Sequence, residues 1–164
     1  MASQKHLDLL SSGKTLWNNW RQEYADEQAL EPDLHEADLH GADLQGVDLH
    51  GVDLTKANLQ GANLRDADVR EADLRNTNLR NADLSDANLL GAHLRWADSR
   101  NARLCRSNLK LADLSKADLR GAVLDGAILI KAIFDEAHMS LVDLSEADPD
   151  TFDRHEAERN EVRV

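Results

Sequence analysis

The sequence predicts an all-β solenoid, a chain that bends once every five residues and stacks coil upon coil. Three observations predict it. Leucine recurs at every fifth position from Leu34 to Leu144, filling 19 of 23 slots, with Val69, Ser99, Phe134 and Met139 in the rest. Two residues before each slot stands a small residue, Ala in 17 of 23 cases, and one residue before it Asp in 12 cases and Asn in 5. Gly41, Gly46, Gly51, Gly61, Gly91, Gly121 and Gly126 all fall two residues after the slot, a phase shared by Asn76, Asn81 and Asn101.

A period of five suits neither an α-helix, around which such leucines would drift without forming a stripe, nor one long strand, which would send them to alternate faces. A bend in each repeat removes the conflict. The small residue and the Leu are two apart and point to one side of a short extended segment, and the two residues that follow form the centre of a β-turn. A type II turn needs φ > 0 at its second central residue, which Gly takes without strain and Asn tolerates. Other corners carry Glu, Lys, Arg or Trp in that place, and some of these are expected to use another turn type. Three, four or five sides would all bring the chain back on itself. With four, 23 repeats make 5.75 coils, a rod roughly 28 Å long at the usual strand spacing. Its interior is stacked Leu and Ala layers, too narrow for ligand, with each buried Leu worth about 1.5–3 kcal/mol.

Runs such as ADLHGADLQGVDL (37–49), ANLQGANL (57–64) and ADLSKADL (112–119) resemble the pentapeptide-repeat family, whose pattern is A(D/N)LXX. That resemblance covers most of the chain. It implies a right-handed quadrilateral parallel β-helix of pentapeptide repeats and, because the family is functionally diverse, little about activity. A WNNWR stretch (17–21) followed by PDL (32–34) resembles the helical lead-in of cyanobacterial-type members.

Three segments are expected. Residues 1–31 lack the repeat and read as an N-terminal α-helical cap: a short turn through Leu7, Leu9 and Leu10 ended by Ser12-Gly13, then a helix capped by Thr15 and running to about Leu30. Trp17, Trp20 and Tyr24 share one side of it and are expected to lie on Leu34, Leu39, Leu44 and Leu49, covering an otherwise open strand edge. Residues 32–148, from Pro32 to the residue before Pro149, form the β-helix. Residues 149–164 read as a polar tail or short helix, with Phe152 its one substantial apolar side chain.

Composition bounds the function. The net charge is −12, with 31 acidic residues against 19 Lys and Arg, which argues against direct nucleic-acid binding and permits a basic protein partner. The single cysteine, Cys105, allows no internal disulfide, suits a reducing compartment and sits in an outward slot, so a surface thiol is expected. No stretch has the length of a membrane span or the core of a signal peptide, and a cytoplasmic location follows.

No constellation points to chemistry. Asp33, Asp53, Asp73 and Asp113 share a column on a convex wall and converge on nothing. Arg80, Arg100 and Arg120 share another, where Asp98 and Asp118 predict charge-compensated ladders. His35, His40 and His50 belong to three sides and cannot meet on one metal. Ser99, buried in a Leu slot, is expected to bond to backbone. No catalytic residue, metal or cofactor is predicted.

The outward residues that break the polar pattern are apolar and gather toward the C-terminal end: Leu90, Leu111, Val123, Ile128, Ile130 and Ile133. They form the candidate interface, with Phe134 and Met139 expected to give a bulky layer at that end. The chain therefore reads as a non-enzymatic scaffold for a protein partner, with self-association at the C-terminal end as a further expectation. One alternative is a DNA-mimic inhibitor or protector of a DNA-handling enzyme such as gyrase, as some members of the family are. Another is a regulator in a signalling or developmental pathway.

Overall fold

A computed structural model describes residues 2–24 and 32–147. Two helices, α1 (Gln4–Ser11) and α2 (Lys14–Glu23), precede a right-handed four-sided parallel β-helix. Each repeat contributes a single bridge residue, and every bridge pairs a residue with the one twenty further on, from Asp33 with Asp53 to Val123 with Asp143. That offset decides the number of sides. Four columns result. The first wall carries Asp33, Asp53, Asp73, His93, Asp113 and Ile133; the second runs from Asp38 to His138; the third from Asp43 to Asp143; the fourth from Asp48 to Ile128.

Two hydrogen bonds per repeat tie coil to coil through the bridge residue: the Leu39 N–H donates to Asn58 O at 2.8 Å, and the Asn58 N–H to Ala37 O at 2.8 Å. The corner adds two more. Within a repeat the Ala42 N–H donates to Leu39 O at 3.0 Å, closing the turn, while the Gly41 N–H reaches Gln60 O of the next coil at 2.9 Å. The Leu and Ala slots are buried almost throughout, as one continuous core.

The corners do not divide by turn type. From Glu36 to Leu141, all 22 second central residues have φ between 54° and 71°, seven of them Gly and fifteen not. Trp96 and Leu111 adopt the same left-handed backbone as Gly41. The expectation that bulky corners would change turn type is therefore corrected. A non-Gly residue there is strained by about 1 kcal/mol or more, but leaving the conformation would break both corner bonds and the register of the coil above.

The Asp and Asn before each Leu have a structural task that solvated surface does not describe. Asp33 Oδ1 accepts the His35 N–H at 3.0 Å and Asp53 Oδ1 the Thr55 N–H at 2.9 Å. The same bond recurs at Asn63 to Arg65 (3.2 Å) and Asp113 to Ser115 (3.0 Å). A short side-chain acceptor that bonds two residues on is an Asx turn, and it preorganises the corner. This accounts for the pairing of Asp or Asn with the repeat.

At the N-terminus, α1 and α2 are separated by Gly13, whose φ of 104° only Gly takes readily. Gly13, and not Thr15, occupies the N-cap of α2, without a side-chain cap. The expected extension of this helix toward Leu30 ends at Glu23 in the described residues; 25–31 and the tail from 148 lie outside them. The aromatic residues divide in role. Trp17 is completely buried and its Nε1–H donates to Asp48 O at 2.6 Å. Trp20 is half-buried between the rings of His6 and Tyr24, at centroid distances of 5.4 and 6.1 Å, and Tyr24 is exposed. Asn18 brackets the same edge, donating to Gly46 O at 3.0 Å and accepting the Asp48 N–H at 2.9 Å, and Arg21 donates to His50 O. On the first wall, His6 Nδ1 accepts the Asp33 N–H at 3.0 Å and the Ser3 N–H donates to Asp33 O at 3.1 Å.

Candidate functional site

The walls are convex and charge-paired. On the second, Asn58 Nδ2 donates to Asp38 Oδ1 and Asn78 Nδ2 to Asn58 Oδ1, both at 3.0 Å. Above this amide ladder, Arg100 grips Asp98 through Nε and Nη2 at 2.8 and 2.6 Å, and Arg120 grips Asp118 at the same distances. Arg100 also approaches Asp118 at 3.6 Å, linking successive coils. The expected compensated ladder is therefore present at Arg100 and Arg120, whereas Arg80 in the same column has no ion pair among the described residues and its Nε is buried without a partner. Around the third wall, Asp86 receives Arg106 at 2.7 and 2.8 Å and Arg65 at 3.3 Å.

These guanidiniums hold the Asp98 and Asp118 carboxyls below the usual carboxylate range, by their hydrogen bonds first and against the opposing effect of partial burial. A folded value below the unfolded one stabilises fully above the unfolded value, and that stability fades as pH falls through the folded value. Melting temperature should thus fall steeply only below about pH 4. An Arg100→Gln, Arg120→Gln variant should melt lower than the parent at pH 7 and show a smaller acid-induced loss, so that the two converge as pH falls below the carboxylate range. Identical acid transitions in parent and variant would show that the ladder contributes nothing.

Three buried positions depart from expectation or went unnoticed. Cys105 is buried, not a surface thiol. It occupies the first corner place, where a side chain of one heavy atom beyond Cβ stays between the flanking coils; Ser85 and Ser115, in the same place of other repeats, are buried too. Ser99 is buried as expected, but among the described residues its Oγ finds no hydrogen-bond partner. Thr77 and Ser107, in Ala slots, do reach carbonyls, Leu54 O and Leu104 O, at 2.8 Å. His6, which sequence reasoning passed over, is a buried acceptor in the cap.

The donor atoms of Asp33, His35 and Asp53 lie within 4.8 Å of one another. Asp33 Oδ1 already takes the His35 backbone N–H and meets its Nδ1 at 2.9 Å, so the grouping is part of a closed turn. His40 and His50 stand at other corners, facing Gln60 O and Glu71.

The apolar residues of the candidate interface fall into two groups. Leu111, Ile128, Ile130 and Ile133 surround one corner, between the fourth and first walls, and are 50, 43, 37 and 45 % exposed. Leu90 shares the corner column two coils below Ile130 and is half-buried. Val123 is half-buried on the third wall, a corner away from the rest. Lys110 and Lys131 are exposed within the apolar group, and among the described residues neither has an ion pair. The last core layer is not an open end: Phe134, Met139 and Leu144 are buried, so the exposed apolar surface lies on the corner. Leu16, on α2, and two corner residues are exposed and were missed by the sequence reading. Leu141 stands at the diagonally opposite corner, and Trp96 lies under the Arg95 guanidinium at 4.8 Å with Lys116 at 5.8 Å. Both occupy the second corner place, where Leu111 is the one other large apolar residue among the described repeats, and that was the available signal.

Coils of four five-residue sides, most corners closed by an Asp or Asn side chain and each interior filled by Leu and Ala, define a quadrilateral β-helix whose usable surfaces are its walls, corners and ends. The chain belongs to the pentapeptide-repeat family: the family model described as Pentapeptide repeats matches residues 33–70, 62–98, 87–126 and 107–146. Among solved structures, the pentapeptide repeat protein Rfr23 from the cyanobacterium Cyanothece 51142 is 29 % identical, with 80 % of this chain and 94 % of that one covered and a TM-score of 0.56. HetL, a pentapeptide repeat protein involved in heterocyst differentiation regulation from the cyanobacterium Nostoc sp. strain PCC 7120, is 35 % identical, with 74 % and 66 % covered and a TM-score of 0.36. QnrB1, a plasmid-mediated fluoroquinolone resistance protein, is 18 % identical, with 75 % and 77 % covered and a TM-score of 0.32. No curated protein matches the chain. Among the described residues no helix is long and apolar enough to cross a membrane.

Proposed function

We propose that this protein is a non-enzymatic scaffold that binds a partner protein in the cytoplasm through the corner formed by Leu111, Ile128, Ile130 and Ile133, flanked by Leu90 and Val123. The observation that carries the reading is the contrast between this corner and the rest of the rod. Elsewhere the walls are occupied by amide ladders and Arg–Asp pairs; here large aliphatic side chains stand in water on adjoining surfaces. An exposed apolar group of this kind on a protein surface marks an interaction site. The stiffness of the coil stack supports it, since a surface that does not rearrange loses little entropy on binding. Lys110 and Lys131 define the partner further: an apolar patch edged by carboxylates satisfies both the aliphatic side chains and the two cations.

The test is an Ile128→Asp, Ile130→Asp variant. Outward residues add little to the core, so its circular dichroism and melting should match the parent. Capture of the native partner should fall by at least about tenfold, since burying two isoleucines contributes several kcal/mol at an interface. Light scattering distinguishes a second copy of this chain from a different protein as the occupant. Unchanged capture by the folded variant would place the interface elsewhere.

A second reading, a DNA-mimic inhibitor or protector of gyrase, is favoured by the net charge of −12. The arginines that interrupt the acidic walls weigh against it. A supercoiling assay showing neither inhibition nor protection from quinolones removes it.

A further inference from the structure

Among the described residues, the cap closes only half of the first coil. On the fourth wall and its corners, Trp17, Asn18 and Arg21 satisfy the edge, and on the first wall His6 and Ser3 do so. On the second and third walls the described residues make no equivalent bond. Among the described residues, the backbone N–H and C=O of Asp38 and of Asp43 have no partner. One coil further in, the same positions are saturated: the Asn58 N–H donates to Ala37 O and Asn58 O accepts from Leu39, both at 2.8 Å.

Beside this unpaired edge lies a groove of about 520 Å³ between α1 and the first coil. Leu7, Leu10, Leu39, Ala42 and Leu44 give it an apolar lining, and Leu39 and Ala42 are only half-buried, unlike nearly all their counterparts in later coils. Asp8, Asp38 and Asp43 stand around it. Among the described residues none of the three has an ion pair. Asp38 and Asp43 receive only neutral donors, Asn58 and Asn63 at 3.0 Å and the His40 and Gln45 N–H groups, and Asp8 receives Gln4 at 2.8 Å. On the capped half, by contrast, Asp48 has Arg21 at 3.7 Å. The uncapped half is therefore the place where edge backbone, apolar core and carboxylate charge all lack their complements.

We propose that this edge is a second docking site, distinct from the C-terminal corner, and that its occupant is a basic segment of a partner protein added as a strand ahead of the first coil. Each property of the occupant answers an observation. Backbone pairing to Asp38 and Asp43 requires extended chain, as in strand addition to an exposed sheet edge. Leu39 and Leu44 require an apolar residue in each repeat, and the three carboxylates require Lys or Arg beside it. A segment with a bend five residues apart, apolar inward and basic outward, continues the solenoid by part of a coil.

The probe is the fluorescent peptide Ala-Lys-Leu-Arg-Gly-Ala-Lys-Leu-Arg, which repeats this chain's own pattern with Lys where the wall has Asp. Titrated into the full chain, it should bind saturably, with amide chemical-shift changes concentrated at residues 7–13 and 38–45. A peptide with Glu for every Lys and Arg should not bind, and one N-methylated at its pairing amides should lose binding. An Asp38→Asn, Asp43→Asn variant keeps the turn bonds, because Asn58 and Asn63 already serve the same columns with them, and it should bind about tenfold more weakly. The Ile128→Asp, Ile130→Asp variant should bind as the parent does, which separates this site from the C-terminal one. Absence of shifts at 38–45 with millimolar peptide overturns the proposal. So does equal binding of the Glu or N-methylated peptide, or an undiminished affinity in the Asn variant.

Discussion

Replacing Trp17 with Ala is expected to lower the unfolding free energy by about 3–5 kcal/mol, the range for deleting a fully buried large aromatic side chain. Trp17 is completely buried and its indole N–H is the partner of Asp48 O on the first coil. Two losses therefore combine. The apolar contact between α2 and the core disappears, and an edge carbonyl loses its donor. In a solenoid each coil is held by its neighbours, so an unsealed end lets unfolding begin there. Chemical denaturation followed by circular dichroism measures the loss, and light scattering should show a rise in association, because bared strand edges pair with one another. Trp17→Phe separates the contributions: it keeps most of the apolar surface and should lose only about 1 kcal/mol with the hydrogen bond. If Trp17→Ala unfolds within about 1 kcal/mol of the parent, the helices are an appendage and the rod is stable with its end open.

Ser99→Leu is expected to act in the opposite direction, raising stability by about 2–3 kcal/mol. Ser99 is the one polar residue in a Leu slot; it is buried, and its hydroxyl has no partner among the described residues. The substitution removes a desolvated, unbonded hydroxyl and places a Leu between Leu79 and Leu119, the residues twenty before and after it. Its backbone bonds, the Ser99 N–H to Asp118 O at 2.8 Å and the Ala102 N–H to Ser99 O at 3.0 Å, are those of every other Leu slot and need not change. Ser107→Ala is the contrasting control: there the hydroxyl is bonded to Leu104 O, so its removal should be neutral or slightly destabilising. A melting temperature unchanged or lowered in Ser99→Leu would mean that the neighbouring layers have closed over the space and must be forced apart.

The candidate site was legible in part, and for a definable reason. A large aliphatic residue in a slot normally held by Asp, Asn or Arg is visible in a strict repeat as a break in phase, which is how Ile128, Ile130 and Ile133 stand out. Val123 breaks the same pattern but stands on a different wall, half-buried, apart from the corner. The phase of a residue does not state how far its side chain is overhung by neighbours from the coils before and after. Cys105 shows the same point from the other side, being in an outward place and yet buried. The open half of the N-terminal edge was not legible at all. Which of the four walls receives the cap depends on where α2 lands, and nothing in the pattern of Trp17, Trp20 and Tyr24 chooses a wall.

What the sequence by itself determined is everything that depends on phase within one repeat: the bend every five residues, the Leu and Ala core, the outward places and the corner glycines. These follow from local stereochemistry and from apolar burial, which act over a few residues and recur here without interruption. The tertiary structure decided what depends on the coil above or below. The four sides are set by the twenty-residue bridge offset. The uniform left-handed corners, from Glu36 to Leu141, hold because the turn bond within a repeat and the bond to the adjoining coil together outweigh the strain at a non-Gly residue. The half-closed N-terminal edge has the same origin: backbone groups of a first coil are satisfied only by whatever packs on them, and the described residues of the cap reach two walls of the four.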